Sequence, residues 1–446
     1  MTEIKQVIKR TGAIVDFTPE RITNAIYRAA VSVGGRDRVT SENLSKQVVE
    51  ILKETTPEGS IPAIEEIQDI VEKVLIENGH AKVAKEYILY RDERKRRREE
   101  RASRASHPSK NIPWSKIWYV LNWSIDHNVH TVMNLNRRIA KGEFADIIVE
   151  TEEKYNEDVE NAVETIAKKK GELKLVIITG PSSSGKTTTT IKVGQRLERM
   201  GCNLVTLNVD NYFFDLEVHP KDEFGDFDFE TPQALDLPLI NQHLVELFQC
   251  KEVRIPFYDF KASVQYPDHT PMKLKPGDIV LIDSLHGLYP DMTSDIERDQ
   301  KFNLYLEPLL QVKDNDGKYV RWTDIRLIRR MLRDASHRAY DPRRTLEHWH
   351  YVRSSEMRHI IPNITEADYI INTGLPYELP IYAARILKSF QGWIEEYRND
   401  PLRQDAFSRA ARVFDLLHQI TPVVDESSIP RDSLLREFIG GSCYEY

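Results

Sequence analysis

From Leu173 to Thr190 the chain reads LKLVIITGPSSSGKTTTT, and few stretches leave a polypeptide so little choice of local structure. Leu173 to Ile178 is a short apolar run rich in β-branched residues, the pattern of a buried strand. Gly180-Pro181-Ser182-Ser183-Ser184-Gly185-Lys186-Thr187 then matches G-x-x-x-x-G-K-[ST], and Ile191, Leu197 and Met200 mark an amphipathic helix behind it. Strand, glycine loop and helix in that order form the setting of a phosphate-binding loop. Gly180 and Gly185 permit a tight backbone whose N–H groups, through Thr188, face inward at phosphate oxygens, and the helix N-terminus adds the positive end of its dipole. Lys186 is placed for the β- and γ-phosphates and the Thr187 hydroxyl for Mg²⁺. A Ser/Gly-rich loop can match such a pattern by chance, but the intact flanks favour a nucleoside triphosphate site.

Two acids extend that chemistry. Asn203 to Val209 reads as a second strand with Asp210 at its end, and Ile279 to Ile282 as a third, ended by Asp283. In a doubly wound α/β sheet, ligands bind beyond the carboxyl ends of the strands. Asp210 there can take the proton of an attacking hydroxyl, and Asp283 can hold Mg²⁺ directly or through water. Both acids also suit helix caps, but two acids ending two apolar strands after a phosphate loop point to chemistry. Further on, Arg326, Arg329, Arg330 and Arg333 share one face of a helix, with Ile328, Met331, Leu332 and Ala335 opposite. An arginine face with few acids to neutralise it is expected to meet a polyanion, here a transferring phosphoryl group.

These pieces resemble the uridine kinase and phosphoribulokinase family of P-loop kinases over residues 173 to about 375. The resemblance rests on Gly180 to Thr187, on Val209-Asp210-Asn211-Tyr212-Phe213, and on Asp226-Phe227-Asp228-Phe229-Glu230-x-Pro232. It continues in Ile255-Pro256-x-Tyr258-Asp259-Phe260 and Asp324-x-Arg326-Leu327-x-Arg329-Arg330-x-Leu332-Arg333-Asp334. It implies that Asp210 activates a nucleoside 5′-hydroxyl, that Asp228 grips the ribose, and that Tyr258, with Tyr212, lines the substrate site. It makes Arg330, Arg333 and Arg338 lid arginines that reach the phosphates. Two positions depart from the pyrimidine kinases of the family: Ser263 stands in place of a base-contacting His and Tyr340 in place of an Arg, which leaves the base open. His286 reads either as a substrate contact or as a packed strand-end histidine. Leu285-His286-Gly287-Leu288 and Leu434 to Gly441 resemble a bacterial uridine-kinase-like branch with an extra N-terminal domain.

That domain has its own pattern. Val7-x-Lys9-Arg10-x-Gly12 and Val15-x-Phe17 precede Ile22, Ala25, Ile26 and Ala29 at helical spacing, and a second helix carries Ile67, Val71, Val74 and Leu75. A third has Ala84, Tyr87 and Ile88. Spacing alone describes a small helical adaptor. The residues resemble the ATP-cone of ribonucleotide reductases, which implies an allosteric site for ATP or dATP at Val7, Lys9, Arg10 and Arg21, the last replacing a lysine. The resemblance also implies a homo-oligomer. Arg94 to Arg98 is a solvated helix end and linker before it is a nucleic-acid patch.

The expected architecture is α/β: a mainly helical ATP-cone over 1–100, a helical connector over 101–170, a P-loop kinase core with a parallel doubly wound sheet over 171–376, and a C-terminal helical extension and tail over 377–446. At 446 residues, with 40% hydrophobic and 30% charged residues, the chain suits a soluble multidomain enzyme. A net charge of −8 argues against nucleic-acid or acidic-membrane partners. No apolar run is long enough to cross a bilayer, the N-terminus lacks a signal-peptide core, and three scattered cysteines read as free thiols of the cytoplasm. The expected reaction is ATP- and Mg²⁺-dependent phosphorylation of a nucleoside 5′-hydroxyl. The alternatives are a phosphoribulokinase-like kinase of a sugar phosphate and a non-catalytic nucleotide sensor.

Overall fold

A computed structural model describes residues 4–8, 14–35, 37–57, 60–89, 111–215, 230–260, 262–337, 341–400 and 403–445. It divides into two compact units, Met1–Ser109 with Asn399–Gln404, and Lys110–Arg398 with Asp405–Tyr446.

In the first unit, β1 (Gln6–Ile8) pairs antiparallel with β2 (Ile14–Asp16). Four helices follow: α1 (Pro19–Ser32), α2 (Arg38–Thr55), α3 (Ile64–Glu77) and α4 (81–89). Pro19 opens α1 where its missing N–H costs nothing. Asp37 caps α2 by accepting the Thr40 N–H at 3.1 Å. Ile22, Ile26, Leu44, Val48, Leu52, Val71, Val74 and Leu75 form the core, with Val7 from the hairpin.

The second unit is built on a five-stranded, all-parallel sheet in the order β4-β7-β3-β8-β9. Its strands are β3 (Leu175–Thr179), β4 (Asn203–Leu207), β7 (Asp278–Ser284), β8 (Lys301–Glu307) and β9 (Tyr369–Asn372). A parallel sheet is covered on both faces, so its central strand is a continuous apolar run. β3 is buried at every residue. A separate antiparallel hairpin, β5 (Val253–Asp259) with β6 (Val264–Met272), stands off the sheet. Cys202, Cys250 and Cys443 are free. No helix among the described residues is long and apolar enough to cross a membrane.

The helices are α5 (Trp114–Asp126), α6 (Val132–Ala140), α7 (Phe144–Lys168), α8 (Lys186–Arg199), α9 (Leu237–Phe248), α10 (Trp322–His337), α11 (Pro342–Ser355), α12 (Glu378–Tyr397), α13 (Gln404–His418) and the short α14 (Arg436–Ile439). The expected connector over 101–170 is not a separate body over its described part. Ile147, Tyr155, Val159, Val163 and Ile166 of α7 share one core with Val176 and Ile178 of β3 and with Leu434, Leu435 and Phe438 near the C-terminus. A second core on the other side joins Leu175 and Ile177 to α9 and to Val253 and Ile255 of the hairpin.

Helix α10 departs from the expected open arginine face at two of its four arginines, Arg326 and Arg329. Ile325, Leu327, Ile328 and Met331 are buried, but so are Arg326 and Arg329, each with no exposure. The neutralising acids arrive from distant segments. Arg329 Nε meets Glu378 Oε2 at 2.8 Å, its Nη2 donates to the Thr373 carbonyl at 2.6 Å, and Tyr382 shares the same glutamate at 2.7 Å. Removing one partner of such a pair strands a buried charge. We expect Arg329→Ala to lower unfolding free energy by about 3–5 kcal/mol, and denaturant titration of the full chain measures it; a loss under about 1 kcal/mol would contradict the burial described here.

Candidate functional site

The loop between β3 and α8 takes the shape its glycines allow. Gly180 has φ +157° and a Cβ there would lie 2.3 Å from the Leu306 carbonyl oxygen; Gly185 has φ +91° and ends the loop as the N-cap of α8. Ser183 also has positive φ, at 58°. The Ser183 and Ser184 hydroxyls are buried without a hydrogen-bond partner, an arrangement that a phosphate-binding loop explains. Pro181 is buried with them, and Lys186 reaches back to the Pro181 carbonyl at 3.4 Å. Burial pushes the Lys186 ammonium below its ordinary range, and Asp283 and Glu437 pull it back up. Thr187 is exposed.

Arginines of α10 grip this loop from behind. Arg326 Nη1 donates to the Ser182 carbonyl at 3.1 Å while its guanidinium pairs with Glu307 and Glu356. Arg330 Nη1 donates to Ser182 Oγ at 3.2 Å and to Glu230 at 3.1 Å. Arg333 lies 3.5 Å from Asp334 and acts electrostatically on Lys186. Of the expected lid arginines, Arg330 touches the loop, Arg333 lies near enough to Lys186 to act on its charge, and Arg338 lies outside the described residues.

The two acids act on each other across the sheet's carboxyl edge. Burial raises the Asp283 carboxyl to about 6 against the pull of Lys186, and Glu437 and Asp210 raise it further. Asp210 is exposed on the short turn Val209–Tyr212, with its N–H bonded to Asn208 Oδ1 at 3.0 Å. The exposed Thr187 and the Asp283 carboxyl are the expected metal residues, and their oxygens are of the hard kind that holds Mg²⁺ together with substrate phosphates and water. Among the described residues no group of three or more acids, histidines or cysteines is arranged to hold a metal by itself.

The hairpin carries the other side. The Tyr258 N–H bonds to Asn211 Oδ1 at 3.4 Å and its ring lies 5.7 Å from that of Phe213, which ties β5 to the Asp210 turn. Burial raises the Tyr258 hydroxyl, and the Ser263 side chain lies close enough to work against that rise; Ser263 itself has φ +56°. Two expected substrate contacts thus lie near each other. Tyr212 does not join them: its side chain is fully buried and its hydroxyl meets His243 at 2.9 Å. His286 is 4% exposed beside His359, ring centroids 6.1 Å apart. Burial first, then His359, holds its imidazole neutral, down to about 3. Neither ring nitrogen meets a partner in hydrogen-bond geometry, although the Glu230 backbone lies close enough to act on it. Asp228 and Tyr340 lie outside the described residues.

In the first unit, Val7 is a core residue of the hairpin and Arg21 is exposed on α1, while Lys9 and Arg10 lie outside the described residues. Sequence reasoning missed Glu437, which binds Thr188, and the acids Glu307, Glu356 and Glu378 that neutralise α10. None carries a local signature, because each acts on a residue far away in sequence.

Residues 5–96 match the ATP cone domain model, and residues 175–377 match the phosphoribulokinase / uridine kinase model. A uridine kinase of Deinococcus deserti is 30% identical over 213 residues, covering 47% of this chain and 93% of the relative. A vitamin B12-dependent ribonucleoside-diphosphate reductase of Thermoplasma acidophilum is 43% identical over 103 residues, 22% of this chain and 13% of the relative. The solved structure of a possible uridine kinase from Bacillus stearothermophilus aligns with 48% of this chain and 98% of its own at 14% identity and a TM-score of 0.30.

The raised Asp283 carboxyl has a measurable consequence. Between the ordinary 3.8 and about 6 the folded chain holds a proton that the unfolded chain has released. Stability from this group is therefore full below the lower value and lost as pH rises through the upper one. We expect Asp283→Asn to raise the thermal midpoint of the nucleotide-free protein by a few degrees at neutral pH, with the gain shrinking toward pH 4, while Mg²⁺-dependent nucleotide affinity falls. Calorimetry across that pH range checks the first part; a midpoint lowered at every pH would contradict it.

Proposed function

The chain belongs to the phosphoribulokinase/uridine kinase family of phosphotransferases and carries an ATP-cone, and on that premise we propose that it is a nucleoside kinase. In this reading it transfers the γ-phosphoryl group of ATP to the 5′-hydroxyl of a nucleoside, and ATP or dATP at the cone regulates the transfer. The observation that carries the reading is the convergence of Lys186, Asp283 and Asp210 at the carboxyl edge of the parallel sheet, with the Tyr258–Ser263 pair tied to the turn that holds Asp210.

Each group then has a task. Backbone N–H groups of the loop from Gly180 to Thr187, Pro181 excepted, bind the β- and γ-phosphates, and Lys186 follows the negative charge as it moves. Arg330 and Arg333 stand where charge spreads over the transferring group, Arg330 already fixed to Ser182. Thr187 and Asp283 would hold Mg²⁺, which supplies charge neutralisation at the phosphates when bound. Asp210, exposed beside that edge, accepts the proton of the attacking hydroxyl. Tyr258 stacks against the nucleoside. Ser263, sitting where a base-reading histidine would stand, limits how the base is recognised. His286 holds a neutral imidazole whose two ring nitrogens are buried without a partner beside that edge.

The test is ATP consumption by the purified full chain across a nucleoside panel, with and without dATP, beside Asp210→Asn. We expect one nucleoside to support turnover, a rate change on adding dATP, and a loss of about 10²–10⁴-fold in kcat for the variant. Turnover with a sugar phosphate and with no nucleoside would overturn the acceptor; a full rate from Asp210→Asn would overturn the base.

A further inference from the structure

The run from Leu434 to Gly441 has no part in the chemistry above, yet the structure seats it on the phosphate loop. Leu434, Leu435 and Phe438 are fully buried, and Phe438 lies under the Arg329 guanidinium at 5.1 Å. Leu434 occupies the space beside Gly185 so closely that a Cβ there would fall 2.5 Å from Leu434 Cδ1. Upstream, the nearly fully buried Lys192 of α8 meets Asp432 at 3.1 Å, and Ser433 shares a hydrogen bond with Tyr377. The segment is thus anchored to α8, α10 and α12 by apolar and polar contacts that do not involve Glu437.

Glu437 itself is 4% exposed and turns its carboxylate onto the first turn of α8. Its Oε2 accepts the Thr188 backbone N–H at 3.1 Å and the Thr188 hydroxyl at 2.7 Å. Thr189 N–H is bonded back to the Gly185 carbonyl, so Thr188 N–H stands in the first turn of α8, just ahead of the helix's own ladder. N–H groups so placed are the donors that a phosphate-binding loop offers to its nucleotide. A carboxylate and a phosphate make the same demand of them: both are oxygen anions drawn to the positive end of a helix. Glu437 also faces its own kind, since it adds to the repulsion on Asp283 while it supports the charge of Lys186.

We propose that Glu437 is an affinity-determining residue of the nucleotide site, an intramolecular anion seated on the Thr188 N–H that a nucleotide phosphate takes over on binding. This rests on reading Gly180–Thr188 as a phosphate-binding loop. The exchange needs only a turn of the glutamate side chain, because Leu434, Leu435 and Phe438 keep the segment in place. The carboxylate satisfies a buried donor and balances Lys186 until phosphate arrives, and the work of turning it out sets how tightly phosphate is held. A glutamate that served only as a helix cap would behave differently, since removing its charge would weaken α8 and gain nothing for the ligand.

The experiment uses the full chain and Glu437→Gln, which keeps the shape and one acceptor oxygen but removes the charge. Inorganic tripolyphosphate with Mg²⁺ is the probe, because it has no base or sugar and reports on the loop alone. Titration calorimetry is expected to give on the order of tenfold tighter tripolyphosphate binding to Glu437→Gln. Equal or weaker binding would overturn the proposal alone, and no binding to either protein would overturn the loop reading with it. The wild-type chain supplies a second measurement that needs no variant to fold. The carboxyl carbon-13 resonance of Glu437 should shift when tripolyphosphate is added while amide exchange over 429–441 stays as it was, and an unshifted Glu437 resonance in the phosphate-bound chain overturns the displacement.

Discussion

The interaction on which the site depends is the buried guanidinium of Arg326. It has no exposure, pairs with Glu307 at the end of β8 and Glu356 after α11, and donates to the Ser182 carbonyl in the middle of the loop. Taking three charges out of water is costly, and an apolar cluster of the same volume would often be as stable or more so. What an apolar cluster cannot do is hold a backbone carbonyl by a directed bond. One side chain thereby fixes a loop, a strand end and a helix end in one geometry, and Trp349 closes over it at 5.8 Å. Lys186 and the backbone donors of the loop are aimed by that arrangement.

Around this anchor the charges nearly balance. Asp283, Asp210 and Glu437 crowd one edge of the sheet, and Lys186 and Arg333 stand among them. Burial works against both signs of charge there: the carboxyl of Asp283 rises and the ammonium of Lys186 falls, each through burial first. A polyphosphate with its cation adds charges of both signs to the same place. The site is therefore most at ease when filled, the condition under which preorganised electrostatics act without further rearrangement.

Much of this was legible in the sequence, and the limits have physical reasons. The strands around Ile177, Val205 and Ile282 were readable because a parallel sheet writes itself as apolar runs, and the loop because its glycines and lysine stand at fixed spacing. Helix α10 was placed correctly and its surroundings were not. Arg326 and Arg329 have the local pattern of a solvent face, and only the fold brings Glu307, Glu356 and Glu378 to them. Tyr212 was misassigned for a related reason, since its hydroxyl finds His243 on α9, 31 residues away. Helix α2 was passed over although Leu44, Val48 and Leu52 repeat on one face; the polar residues between them hid the period. Asp228, Arg338, Tyr340, Lys9 and Arg10 lie outside the described residues, so neither the ribose grip nor the cone phosphate site is part of this geometry.

The contact between Thr188 and Glu437 also spans time. The two residues are 249 positions apart. At roughly 5–20 residues per second of synthesis, the loop leaves the ribosome about 12–50 seconds before the segment that packs against it. During that interval Gly185 faces no Leu434, the N–H of Thr188 lacks the Glu437 carboxylate, and one side of the sheet lacks Leu435 and Phe438. A growing chain therefore displays a phosphate-binding turn before it owns a finished core. A cellular nucleotide that settles there early would act as a folding ligand, holding the first turn of α8 until the chain's own anion arrives.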